Sequence, residues 1–151
     1  GVSSAASDVY KRQVQEMSEL PRENLSGYRI LLAEDNELNR EIEVFFLKDE
    51  GISVTEAEDG QQAVELFKEK PAGTFDAILM DLMMPVMDGY TATRKIRSLE
   101  RSDAKTIPII AITANAFQED AEKCIAVGMN AHLAKPLDIE KMKKTIKSIC
   151  S

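Results

Sequence analysis

The sequence predicts an α/β fold built on a doubly wound, five-stranded parallel sheet, and two observations support this fold class. Five short apolar segments alternate with segments of helical spacing along the chain from Tyr28 onwards. Several of the apolar segments are nearly continuous, as expected for parallel strands that are buried on both faces. Five β-α units in series with right-handed crossovers place helices on both faces of the sheet.

The predicted strands coincide with the five apolar segments. They are Ile30–Ala33, Ile52–Val54, Ala77–Met80, Ile107–Ile112 and Ala131–Ala134. The first, third and fourth are almost continuously apolar, which predicts central strands. The second is short and alternates between apolar and polar residues, which predicts an edge strand.

The predicted helices follow the strands and are identified by residues at helical spacing. These positions are Leu38, Ile42, Phe45, Phe46 and Asp49, then Ala63, Leu66 and Phe67, then Tyr90, Thr93 and Ile96, then Phe117, Ala121, Cys124 and Ile125, and finally Ile139, Met142, Ile146 and Ile149. Gly51 and Gly128 predict the ends of the first and fourth helices. Asp138 is expected near the N-cap of the fifth.

The N-terminal segment, residues 1–27, differs from the rest of the chain. It is rich in Ser and charged residues and lacks a strand pattern, so we expect a linker or a cloning-derived segment, with a short helix from about Ser7 to Leu20. The folded domain is predicted over residues 28–151. Because the chain begins without Met, we expect it to be a fragment of a longer protein.

The composition excludes several classes of protein. The formal net charge is -7, from 26 acidic and 19 basic residues, which argues against direct binding of nucleic acid or of an anionic membrane. No apolar run is long enough to span a bilayer, and a cytosolic location is expected. The two cysteines, Cys124 and Cys150, have no metal-binding or redox spacing and are expected to be reduced thiols.

Polar residues end the strands at the edge of the sheet where ligands bind in open α/β folds. Glu34 and Asp35 follow the first strand, Asp81 the third and Thr113 the fourth, while the fifth continues into Lys135 and Pro136. Three carboxylates that meet there would repel one another, and a hard divalent cation relieves that cost. The residues therefore predict a Mg²⁺ site at Glu34, Asp35 and Asp81, with a backbone carbonyl from Met83 and a balancing charge from Lys135.

These stretches resemble the response-regulator receiver domain of two-component signalling. The matching motifs are Ile30-Leu31-Leu32-Ala33-Glu34-Asp35-Asn36, Ile78 to Gly89, Ile110-Ala111-Ile112-Thr113-Ala114 and Leu133-Ala134-Lys135-Pro136. The resemblance covers roughly residues 28–149. It implies a flavodoxin-like fold with strand order 2-1-3-4-5.

The resemblance also implies a role for each site residue. Asp81 would accept the phosphoryl group from a phosphohistidine, and Glu34 and Asp35 would hold Mg²⁺. Thr113 and Lys135 would contact the phosphoryl oxygens, and the Lys135-Pro136 bond would be cis. The domain would catalyse its own phosphorylation and dephosphorylation.

His132 departs from the family pattern, since Tyr or Phe usually stands three residues before the lysine. In the family this residue and the threonine form a conformational switch. An imidazole can still move between inward and outward positions, but it buries less area than the usual aromatic ring. Plain packing or partial exposure is the alternative that we keep for His132.

The resemblance is strongest to the C-terminal receivers of hybrid sensor histidine kinases. The parent would then be a histidine kinase, which can be membrane-anchored. Its partners would be the phosphohistidine dimerisation domain of a kinase or a histidine phosphotransfer protein.

Other functions remain open. A stand-alone response regulator is one, and a pseudo-receiver that binds without being phosphorylated is another. An aspartate-nucleophile phosphatase is disfavoured because Met83 stands where such enzymes carry their general acid. Flavin binding is disfavoured because no Ser/Thr-rich loop follows the first strand.

Overall fold

The computed structural model describes residues 25–114, 118–135 and 137–150, with the side chains of residues 118–120 left aside. Its elements, in chain order, are β1 Arg29–Ala33, α1 Glu37–Asp49, β2 Ser53–Ala57, α2 Gly60–Glu69, β3 Ala77–Asp81, α3 Gly89–Arg97, α4 Ser102–Thr106, β4 Ile109–Thr113, α5 Gln118–Val127, β5 Ala131–Ala134 and α6 Ile139–Cys150. Some of the predictions lie outside the described residues: the helix at residues 7–20, the helical position Phe117, and the cis bond before Pro136.

The five strands form one parallel sheet in the order β2-β1-β3-β4-β5, which confirms the predicted fold class. β1, β3 and β4 are central and β2 lies at an edge, as the apolar patterns predicted. β3 and β4 are buried at every residue. Because the strands are parallel, their carboxyl ends meet at one edge of the sheet.

Two hydrophobic cores lie on opposite faces of the sheet. Alternate residues of each central strand enter different cores: Leu31 and Ile78 belong to one, and Ile30 and Leu79 to the other. The second core extends back to Leu25, before the predicted domain boundary at Tyr28. Cys124 and Cys150 form no disulfide in the described part of the chain, and Cys124 is buried in the first core.

Four of the helices in the described residues begin with a side-chain cap. Asn36, Asp59 and Asp88 each accept a hydrogen bond from a backbone N–H in the first turn of α1, α2 and α3. Asp138 does the same ahead of α6, as predicted. None of the helices in the described ranges is both long and apolar enough to cross a membrane.

Candidate functional site

The carboxyl edge of the sheet brings together the acidic residues that the sequence singled out. Glu34 and Asp35 directly follow β1, and Asp81 is the last residue of the neighbouring strand β3. One carboxylate oxygen from each of the three lies within 4.8 Å of the others. Glu34 and Asp81 are buried, whereas Asp35 is exposed. The cluster therefore has a buried floor and one side that is open to solvent.

Lys135 joins two of these carboxylates. Its Nζ lies 2.8 Å from Oε1 of Glu34 and 2.9 Å from Oδ2 of Asp81. Burial alone would lower the pKa of Lys135, but its hydrogen bonds to Glu34 and Asp81 outweigh that effect and raise it. The lysine is therefore charged at neutral pH and is a fixed counter-charge within the cluster.

Asp81 is held at both of its oxygens. Oδ1 accepts a hydrogen bond of 3.2 Å from the backbone N–H of Met83, and Oδ2 accepts the one from Lys135. Burial raises the pKa of Asp81 to about 6, and hydrogen bonding with Glu34 adds to the rise while Lys135 opposes it. At neutral pH Asp81 is mainly ionised, which leaves its oxygens able to act as a nucleophile.

Thr113 and His132 occupy the last two strands. Thr113 is buried at the end of β4, and its carbonyl accepts a hydrogen bond from the backbone N–H of Lys135. Because Asp81 is in register with Ile112, Thr113 lies one residue beyond Asp81 on the neighbouring strand. His132 is in register with Ala111, but its side chain is exposed. The structure thus places Thr113 at the edge of the site and His132 on the outer surface of β5.

A fourth carboxyl, Glu43 on α1, was not identified from the sequence. Its side chain is only 4% exposed, and its Oε1 has no hydrogen-bond donor among the described residues. Burial, with the charge of Glu34 as the next cause, raises the pKa of Glu43 to about 8. Glu43 also lines a cavity of about 290 Å³ with Ile42, Phe46 and Lys135. The sequence offered one signal for its burial. Glu43 lies four residues from both Asn39 and Leu47, and this spacing puts all three residues on one face of the helix.

The donor set suits a hard divalent cation. Three ionised carboxylates facing one ammonium leave an excess of two negative charges, which a divalent cation would neutralise. Oε2 of Glu34 is buried without a hydrogen-bond donor among the described residues, as expected for an oxygen that is free to coordinate or to orient a ligand. Oxygen ligands, few carboxylates and an open side are the features that Mg²⁺ sites share.

Comparison with solved structures identifies the same fold in receiver domains. The receiver domain of a sensor histidine kinase from Pseudomonas aeruginosa, which has magnesium in its active-site cleft, is 42% identical, with a TM-score of 0.74 over 83% of this chain and 98% of that one. A matching chain in a Saccharomyces cerevisiae complex is 31% identical, with a TM-score of 0.71 over 82% of this chain and 88% of that one. That complex contains the histidine phosphotransfer protein Ypd1 and the receiver domain of the response regulator Ssk1.

Curated relatives are much longer than this chain. Hybrid signal transduction histidine kinase B of Dictyostelium discoideum is 44% identical over 72% of this chain, which is 6% of that protein. Histidine kinase 1 of Arabidopsis thaliana is 38% identical over 85% of this chain and 13% of its own length. The family model of the response regulator receiver domain matches residues 30–147. The chain therefore belongs to the response regulator receiver domain family and is a receiver of the type found in hybrid histidine kinases.

Proposed function

We propose that Asp81 accepts a phosphoryl group from a phosphohistidine and that Glu34, Asp35, Asp81 and the backbone carbonyl of Met83 hold Mg²⁺ for this reaction. The observation that most directly supports the proposal is the three-carboxylate cluster with Lys135 between two of its members. When bound, Mg²⁺ would neutralise the carboxylates and the phosphoryl oxygens.

The transfer itself requires few groups. An ionised oxygen of Asp81 forms a bond to phosphorus while the bond between phosphorus and the donor imidazole nitrogen breaks, so the imidazole keeps the electron pair. Lys135 and the hydroxyl of Thr113 stabilise the charge on the phosphoryl oxygens. No general base is needed, because the pKa of Asp81, at about 6, already leaves the carboxylate ionised at neutral pH.

The outer face of α1 supports a helical phosphodonor as the partner. Leu38, Ile42 and Phe45 are exposed and recur at intervals of four and three residues, which forms an apolar stripe along the helix. Because α1 begins two residues after Asp35, this stripe starts close to the acidic cluster that contains Asp81. An apolar helix surface of this kind fits the phosphohistidine helix pair of a kinase or a histidine phosphotransfer protein.

Phosphorylation would then alter the surface near the end of the sheet. The group adds about -1.5 to -2 charges beside Thr113 and Lys135, which rearranges the hydrogen bonds at the ends of β4 and β5. We propose Thr113 and His132 as the switch residues, with the exposed histidine representing the outward position. The parent protein would be a hybrid histidine kinase, and this receiver would catalyse both gain and loss of its own phosphoryl group.

The test is labelling of the purified domain with Mg²⁺ and a small phosphoryl donor such as phosphoramidate. We expect one phosphoryl group per chain in the unaltered domain and none in Asp81→Asn. Beryllofluoride with Mg²⁺ should shift NMR signals around Thr113 and His132 only when Asp81 is intact. Equal labelling of the Asp81→Asn variant would refute the acceptor assignment. An alternative function as a pseudo-receiver predicts no labelling of either protein.

A further inference from the structure

Arg40 on α1 is a largely buried cation next to the acidic cluster. Its side chain is 11% exposed, and its Nη1 donates a hydrogen bond of 2.9 Å to the backbone carbonyl of Glu34. Its Nε lies 3.2 Å from Oε1 of Glu56, and its Nη2 lies 3.6 Å from Oε1 of Glu58. One guanidinium group therefore joins the first turns of α1 to the residue after β1, to β2 and to the residue after β2.

The carbonyl that Arg40 holds belongs to the peptide unit between Glu34 and Asp35. Because a peptide unit is planar, fixing its oxygen also fixes the direction in which the chain continues to Asp35. The backbone N–H of Glu34 is held as well, since it donates a hydrogen bond of 3.1 Å to the carbonyl of Ala57. The backbone that carries these two carboxylates is thus fixed at both polar groups of Glu34.

The two carboxylates differ in how their own side chains are held. Glu34 is buried and pairs with Lys135, whereas Asp35 is exposed and its carboxylate accepts no hydrogen bond from the described residues. An oxygen of Asp35 nevertheless lies within 4.8 Å of oxygens of Glu34 and Asp81, and these charges repel one another. Among the described residues, the fixed backbone is therefore what keeps Asp35 near the cluster.

The charge of Arg40 does not explain its place beside the cluster. Glu56 and Glu58 already pair with the guanidinium group, so its charge is neutralised on the side of β2. A cation next to a metal site repels the metal, so electrostatics alone predict that removing Arg40 would strengthen the binding of Mg²⁺. A role in holding the backbone predicts the opposite sign.

We propose that Arg40 is a positioning residue for the Mg²⁺ site: by holding the peptide between Glu34 and Asp35, it keeps the Asp35 carboxylate within reach of the cation. This inference rests on the proposed function. Loss of a group that holds a metal ligand in place usually weakens metal binding by about 10- to 100-fold.

The dissociation constant for Mg²⁺, measured by isothermal titration calorimetry, tests this role in two variants. Arg40→Met removes the charge and the hydrogen-bond donors but keeps an unbranched apolar stem. Arg40→Lys keeps the charge but replaces the planar fork with a single ammonium group, which cannot reproduce the bonds to Glu34 and Glu56 together. Thermal unfolding, measured in parallel, shows whether each variant is folded.

The matched control is Arg29→Met. Arg29 makes the same kinds of contact as Arg40, because its guanidinium donates a hydrogen bond to the carbonyl of Gly73 and pairs with the carboxylate of Asp76. It is the first residue of β1, so it lies at the other end of that strand from Glu34. The control therefore removes one positive charge and one carbonyl contact without touching the acidic cluster.

We expect the dissociation constant for Mg²⁺ to rise about tenfold in Arg40→Met, to rise by less in Arg40→Lys and to stay unchanged in Arg29→Met. Labelling of the Arg40 variants with phosphoramidate should be slower at low Mg²⁺ and should recover at saturating Mg²⁺, which a general loss of structure would not allow.

A dissociation constant that is unchanged or lower in Arg40→Met would overturn the inference, as would an equal rise in Arg29→Met. Arg40→Lys decides in the same way if Arg40→Met does not fold. An unaltered domain that binds no Mg²⁺ would overturn the proposed function, and this inference with it.

Discussion

At the scale of single residues, the acidic cluster was predictable and Glu43 was not. Strand ends are fixed by the apolar runs, so the residues that follow them had to meet at one edge of the parallel sheet. Glu43 lies in the middle of α1, where a glutamate ordinarily faces solvent. Its burial depends on how α1 rotates against the sheet, and sequence spacing alone does not determine that rotation.

The buried carboxyl of Glu43 should make stability depend on pH. Because folding raises its pKa from 4.5 to about 8, the folded state binds a proton more tightly than the unfolded state. Its contribution to stability is therefore complete below about pH 4.5 and is lost as the pH rises towards 8. The Glu43→Gln variant cannot ionise, so between pH 4.5 and pH 8 it should gain stability relative to the unaltered domain by on the order of 4 kcal/mol.

Urea unfolding at several pH values between 5 and 9 would measure this effect. The matched control is Glu41→Gln on the exposed side of the same helix, which should leave the pH profile unchanged. Parallel profiles for Glu43→Gln and the unaltered domain would show that Glu43 titrates normally.

At the scale of elements, the sequence predicted five helices within residues 28–151, and the described residues contain six. The helix that was missed, α4, has only five residues, and Arg101 at its start makes no side-chain capping bond. So short a segment shows no helical repeat of apolar residues. The helical spacing located α1 but did not show which of its faces is buried. The buried residues are Glu43 and Leu47, whereas Leu38 and Phe45 are exposed.

Arg97 at the end of α3 joins this helix to α4 and to the loop between α5 and β5. Its guanidinium donates two hydrogen bonds to the carbonyl of Gly128, one to the carbonyl of Ala104 and one to Oδ1 of Asn130. The Arg97→Lys variant keeps the charge but cannot make this planar set of bonds. We expect it to lose about 1–3 kcal/mol of unfolding free energy.

Chemical denaturation would measure that loss. Arg94→Lys, at an exposed position on the same helix, is the control and should remain within about 0.5 kcal/mol of the unaltered domain. An Arg97→Lys variant that is as stable as this control would show that the bonds to Gly128, Ala104 and Asn130 make no net contribution to the free energy of unfolding.

At the scale of the whole molecule, the sequence predicted the sheet and its two cores more completely than it predicted the limits of the domain. Alternation of five apolar segments with helical spacing determines a parallel sheet, and its strand order came from the family resemblance. The start of the domain was less evident, because Leu25 is an isolated apolar residue in a polar segment and yet packs into a core.

Cation binding should stabilise the whole domain, because the cation binds the folded cluster and not the unfolded chain. At ten times its dissociation constant, Mg²⁺ should add about 1.4 kcal/mol, which corresponds to a rise of roughly 4 °C in unfolding temperature. The Asp35→Asn variant removes one carboxylate at the open side of the site and should lose most of this rise. Scanning calorimetry with NaCl at matched ionic strength as the control would measure it. An equal rise in the variant would exclude Asp35 as a ligand.

The double contact of Lys135 with Glu34 and Asp81 has a consequence for the resting life of the domain. The ammonium group is covalently part of the chain, so neither dilution nor a chelator can remove its positive charge from the cluster. Without a bound cation, Glu34 and Asp81 still face a positive neighbour, so we expect the domain to stay folded and the proposed Mg²⁺ site to stay assembled. We therefore expect the geometry of the proposed acceptor site to depend little on the concentration of the ion.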